Sequence, residues 1–227
     1  MISPDIISEI EIHIQKFKER FKNDYKFLPT ANPRSIENFE NKFSVKIPDD
    51  FRWFLLNIAN GIINTDQHNF NLTDRINFSD YYYEEDEHNP SLPFKLNNEF
   101  NFKTDEYEDF INGTIQLAGY GCGCYSFIVV NGEEYGNTWV DNYASNSEVS
   151  PEKNAQKNRL RFHEWIIKEI NLMISQKKQS EEFRQKQLQE EKKQINQQYK
   201  KLKSDFKAKS ATLDKDLSIF EKIKYFF

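Results

Sequence analysis

The stretch IPDDFRWFLLNIANG at 47–61 leaves the backbone few choices. Pro48 suits a first helical position, because the N–H it lacks would have no helical partner there. Asp49 and Asp50 follow in the first turn, where negative charge meets the positive end of the helix dipole. Phe51, Phe54, Leu55 and Ile58 then recur at helical spacing and make one apolar stripe. Asn60-Gly61 reads as a left-handed exit. The product is a compact helix with a fixed start, a fixed stop and one face to bury.

Other helices and a set of strands are predicted around it. Ile6, Ile10, Ile14, Phe17 and Phe21 share a face of a helix over Pro4–Phe21, capped by Ser3. A second helix starts near Asn32-Pro33 and turns Ile36, Phe39 and Phe43 inward. Ser150-Pro151-Glu152 reads as a further helix start, with Phe162, Trp165, Ile166, Ile170 and Met173 on its buried face. Ser126–Val130 is a continuous apolar run with β-branched residues, the pattern of a central strand. Asn131-Gly132 after it is a hairpin signal, and Glu133–Gly136 can lengthen that loop. Short strands are also predicted at Ile62–Asn64, Phe70–Leu72, Phe94–Leu96, Thr114–Ala118 and Thr138–Asp141.

The 227 residues suffice for one ordinary domain plus an appendage. Apolar residues are only 37%, but 20 Phe, 11 Tyr and 3 Trp supply large rings to a core. No apolar run has the length of a membrane-spanning helix. The N-terminal segment carries acids and no basic cluster, so no secretory signal is expected. Cys122 and Cys124 cannot build a disulfide framework, and a reduced, cytoplasmic setting is expected.

The net charge of −5 is unevenly spread. Residues 173–227 hold 14 Lys/Arg and 8 Asp/Glu, or +6; the remainder holds 17 and 28, or −11. The division expected is a body over 1–175 and a basic helical tail over 176–227, which has no Gly and no Pro. A heptad frame fits the tail. Position a holds Lys192, Tyr199, Phe206, Leu213, Phe220 and Phe227; position d holds Leu188, Ile195, Leu202, Lys209, Asp216 and Ile223. Packing back on the body, self-association and binding a partner all remain open for it.

No catalytic motif stands out. There is no G-x-S-x-G, H-E-x-x-H or Walker sequence. Gly119, Gly121 and Gly123 alternate, but a strand follows where a phosphate loop needs a helix, so they read as a bulge or a close backbone approach. Cys122, Cys124 and four scattered His make no four-ligand zinc set. His163-Glu164 reads as a solvated pair, and Asp141 as closing a turn. No cofactor or metal is expected. The tail's Lys residues are interspersed with acids, so nucleic acid is not an expected partner. The segment Asp80, Tyr81, Tyr82, Tyr83, Glu84, Glu85, Asp86, Glu87 stands apart. Tyrosines supply rigid contact area and acids steer a basic partner, although a solvated loop is the simpler reading.

Several of these residues together resemble the SUKH superfamily of Smi/Knr-type domains. Ile36, Phe39-Glu40, Ile47-Pro48, Phe51, Phe54-Leu55 and Asn60-Gly61 carry the first block. Gly121, Gly123, Phe127–Val130, Gly136, Trp139 and Asp141 carry the second, and the likeness covers about 30–175. It implies an α+β fold, a mostly antiparallel sheet of about six strands with helices packed on it, here followed by a long C-terminal helical extension. It implies a protein-binding role without catalytic residues. Bacterial members look like immunity proteins that occlude a secreted toxin, often a nuclease, which suits a basic toxin domain as partner. Fungal relatives look like regulatory scaffolds, the alternative reading. A hydrolase with an unrecognised site is the third class.

Overall fold

The computed structural model describes residues 2–22, 24–64, 71–72, 89–97, 100–101, 111–121, 123–146 and 148–224. Helix α1, Pro4–Arg20, starts where Ser3 Oγ accepts the Ile6 N–H and buries Ile10, Ile14 and Phe17. Strand β1, Tyr25–Phe27, follows. Helix α2, Pro33–Phe43, is capped by Asn32, whose Oδ1 accepts the Arg34 N–H at 2.9 Å. Helix α3, Asp49–Asn57, follows Pro48 directly and buries Phe51, Phe54 and Leu55.

The strands are β2 (Ile62–Asn64), β3 (Asn71–Leu72), β4 (Phe100–Asn101), β5 (Thr114–Gly121), β6 (Cys124–Val129), β7 (Thr138–Asp141) and β8 (Glu148–Pro151), with the short helix α4 (Tyr143–Asn146) between the last two. Together with β1 they form one sheet in the order β1-β2-β3-β5-β6-β7-β8-β4. Every neighbouring pair is antiparallel. Six of the strands have three or more residues, and β3 and β4 have two each. The architecture is thus the expected α+β one. Helix α5, Phe162–Lys224, ends the described chain.

The central strand explains the two-sided core. Ile128 and Val130 join the cluster that holds Ile10, Ile36, Phe51, Leu55, Trp165 and Ile170. Phe127 and Val129 join a second cluster with Phe94, Leu96, Ile111, Trp139 and Val149. Alternating side chains of one apolar run therefore serve opposite faces. Helices cover one face, and the segment around Phe94 covers the other.

Two glycines hold that segment close. A Cβ on Gly113 would meet the backbone of Phe94, Leu92 and Asn131, and one on Gly132 would meet the Phe94 carbonyl. Both have positive φ. Phe94 N–H donates to the Asn131 carbonyl at 2.9 Å.

Five details depart from the sequence expectations. Neither Asn60 nor Gly61 has a positive φ, so the exit from α3 is not left-handed. The Gly61 carbonyl instead accepts the Leu28 N–H at 2.9 Å, which commits the backbone to the β1–β2 ladder. Phe94–Leu96 is no strand; Phe94 makes one bridge, to Gly132. β5 runs on to Gly121, with register shifts between Gln116 and Ala118 and between Gly119 and Gly121. The last helix starts at Phe162 and not near Pro151, because Ser150 and Pro151 pair with Val140 and Trp139 in the sheet. Trp139, expected from the sequence to be buried against the helix that carries Phe51 and Leu55, is fully buried, but with Phe94 at 4.9 Å and away from those two residues. It lies opposite Phe127 in the ladder and so shares that residue's face.

The chain divides into two compact units, Met1–Ile174 and Ser175–Phe227. Residues 162–174 of α5 belong to the first. In the second, Phe183, Leu188, Ile195, Tyr199, Leu202 and Phe206 are exposed.

Candidate functional site

A network of charges surrounds the start of α3. Glu40, on α2, is 5% exposed, yet it is fully engaged. Its carboxylate accepts the Ile47 N–H at 3.0 Å, Lys46 Nζ at 3.2 Å and Arg52 Nη1 at 2.9 Å. Burial pushes its pKa up, but these bonds and the Arg52 charge outweigh burial and hold it below the usual range. Glu40 thus pins the turn ahead of Pro48 to α3.

Asp50 does the same for α5. Its Oδ2 accepts both the His163 backbone N–H at 3.1 Å and His163 Nδ1 at 2.9 Å, and its Oδ1 accepts the Phe51 N–H at 3.0 Å. A carboxylate only accepts, so Nδ1 carries the hydrogen. Burial raises the Asp50 pKa, but the His163 bonds and the charges of His163 and Arg161 bring it below its ordinary value. The expected solvated His163-Glu164 pair is therefore corrected. His163 turns to Asp50, and Glu164 Oε2 accepts the Arg161 N–H at 2.9 Å, capping α5.

The Arg161 side chain carries the network outward. Its Nη1 donates to the Tyr135 carbonyl at 2.8 Å. Gly136 beside it has positive φ, and its missing Cβ leaves room for the Arg161 guanidinium. Burial and the nearby Asp49 charge push the Tyr135 hydroxyl up in pKa. Tyr135, Asp49 and Lys46 are exposed, and Pro48 is buried beneath them. An Asp–His pair of this geometry can orient an imidazole. Among the described residues no hydroxyl or thiol bonds that ring, so the arrangement reads as a charged, rigid surface.

A second polar cluster lies where α5 meets the sheet, with Glu169 and Ser126 buried. Glu169 is 4% exposed, and Tyr120 on β5 is among the groups that act on its carboxyl. The Tyr120 hydroxyl also lies 2.7 Å from Ser126 Oγ on β6. Burial first, then the charge of Glu152, pushes Glu169 up to about 7, against the opposing pull of Lys168 and Tyr120. Glu152 itself is paired with Lys168.

The other sequence-predicted residues fall as follows. Asp141 is fully buried, and its Oδ1 accepts the Tyr143 N–H at 2.8 Å. Gly121 ends β5 opposite Cys124, and Gly123 takes positive φ in the turn. Cys124 Sγ lies 3.1 Å from Ser145 Oγ. Cys122 and the whole segment Asp80–Glu87 lie outside the described residues. Among the described residues no group of three or more His, Cys, Asp or Glu is placed to hold a metal ion. No helix among them is long and apolar enough to cross a membrane.

Sequence reasoning missed Glu40, Asp50, His163 and Glu169 as interacting groups. The signal was faint: an acid two residues after Pro48, and a His directly after the Phe that opens another helix. A family model described as the SMI1 / KNR4 family (SUKH-1) matches residues 30–157, more than half of the chain. That span takes in Glu40, Pro48, Asp50, Gly136, Trp139 and Asp141. A comparison with curated proteins finds no match.

Proposed function

Because the chain belongs to the SMI1/KNR4 family (SUKH-1), we propose that it is a protein-binding module of the immunity type, which neutralises a cognate secreted toxin by occluding it. Family membership is the observation that carries this reading. Charge supports it: residues 1–172 hold 17 Lys/Arg and 28 Asp/Glu. An acidic body suits a basic toxin domain such as a nuclease. On this reading the protein is not an enzyme, needs no cofactor and acts in the cytoplasm. Tyr81, Tyr82 and Tyr83 anchor the contact, and Asp80, Glu84, Glu85, Asp86 and Glu87 steer the partner to it. The exposed apolar positions of the second unit favour a second reading, a regulatory scaffold that recruits partners through its tail.

The test is co-expression with a toxin domain encoded beside its gene. Restored growth and a stable complex are expected. Replacing Glu84, Glu85, Asp86 and Glu87 by Ser should slow association and flatten its salt dependence while leaving stability near wild type. Absence of both rescue and complex overturns the immunity reading in favour of the scaffold. An unchanged association rate at low salt removes only the role of the 80–87 segment.

A further inference from the structure

Leu188, Ile195, Tyr199, Leu202 and Phe206 on α5 are between 47% and 78% exposed. They occupy a and d positions of one heptad frame, a stripe about one residue wide per turn. A lipid surface needs a broader apolar face, whereas a stripe this narrow is the seam of a coiled coil.

The polar residues within the seam decide what can cover it. Lys192 stands at a, and Lys209 and Asp216 stand at d. A parallel second copy would oppose Lys192 to Lys192, Lys209 to Lys209 and Asp216 to Asp216. Three like-charge layers in one seam are strongly unfavourable. An antiparallel copy instead places each a opposite a d of its partner. With the two-fold axis beside Ser204, Leu188 faces position 220, a Phe, and Ile195 faces position 213, a Leu. Leu202 faces Phe206, and Tyr199 faces Lys209, whose ammonium suits an aromatic face. Lys192 faces position 216, the Asp. No like-charge layer remains. Sliding one heptad one way sets Lys192 against Lys209; sliding the other way leaves Lys192 and Asp216 against apolar or aromatic residues. Lys203 and Asp205 each meet their own copy near the axis, but on the open flanks, where such pairs cost little.

We infer that residues 188–220 form an antiparallel coiled coil with a second copy of this chain, in register about Ser204. At the helical rise of about 1.5 Å per residue the seam is about 50 Å long. This assembly does not depend on the identity of the toxin-like partner.

Sedimentation of the full chain tests it. The wild type should be a dimer. Asp216→Lys, or Lys192→Asp, should raise the dimer dissociation constant by about tenfold or more. Combining the two should restore it, because the opposite charges face each other again with exchanged places. Ile195→Asp with Leu202→Asp should give a monomer whose body melts as before. Three results overturn the inference: a chain that stays monomeric throughout the micromolar range, including one that binds anionic vesicles instead; a dimer indifferent to the single charge reversals; and a dimer that the paired exchange fails to restore.

Discussion

Replacing Glu169 by Gln should stabilise the protein at neutral and alkaline pH and leave it unchanged in acid. Glu169 is 4% exposed, with its pKa pushed up to about 7 from an ordinary 4.5. The folded state therefore holds this proton more tightly than the unfolded chain does. The stability that the protonated group confers is complete below pH 4.5 and is lost as pH rises to 7. The difference between those pKa values corresponds to about 3 kcal/mol, at roughly 1.4 kcal/mol per unit. Gln keeps the shape and the neutrality, and its amide oxygen remains a hydrogen-bond acceptor. The variant should match wild type at pH 4 and exceed it by about 3 kcal/mol at pH 8. For a unit of this size that is a rise of about 10 °C in melting temperature. Urea unfolding at half-unit steps from pH 4 to pH 8 measures it. Asp50 and Glu40 also titrate with folding, but they are common to both proteins and cancel in the difference. If the two stability profiles run parallel from pH 4 to pH 8, Glu169 is not the buried, proton-holding acid described.

Other outcomes follow from the same geometry. Asp50→Asn should cost about 2 kcal/mol at pH 7, since it weakens charge-assisted bonds to His163. Because the folded Asp50 pKa is depressed, its contribution is present above the ordinary value of 3.8 and lost as pH falls below it, so the two proteins should converge there. A gap that stays constant down to pH 2 would speak against the ionised pair. Trp139→Ala should cost on the order of 3–5 kcal/mol in urea unfolding, as large buried truncations do. With Trp53 and Trp165 replaced, Trp139 should emit as a buried indole, and a water-like spectrum would refute its packing on Phe94. Truncation after Ser175 should leave a soluble body with a cooperative melt and reduced helical circular dichroism. Aggregation of that fragment would mean that the tail completes the core.

Local patterns carried much of the fold. The Pro48 helix, the Ser3 and Asn32 starts and the Ser126–Val130 strand were all legible, because spacing and capping are written in adjacent residues. What stayed hidden needed knowledge of which face meets which. An apolar run buried on both sides gives no hint that Trp139 belongs with Phe94 and not with Phe51. Ser150-Pro151 suited a helix start equally well, until pairing with β7 claimed both residues. The site was least legible of all. Asp50 and His163 are 113 residues apart, and only the meeting of α3 with α5 joins them. His163 looked solvated because Phe162 and Ile166 define the inward face, yet the first turn of a helix can be met end-on as well as from its side.

The order in which the core is assembled bears on how the chain is made. Helices α1, α2 and α3 share one cluster with Phe162, Trp165, Ile166 and Ile170. Nothing translated before α5 can close that cluster, so the nascent body stays incomplete at least until Ile170 has been added to the chain. The chain then continues through Ser175–Phe227, at least 53 further residues. At about 5–20 residues per second their synthesis takes a few seconds, as long as many domains of this size need to fold. While it is being made, the second unit holds the body to the ribosome, and that interval gives its last core helix time to dock.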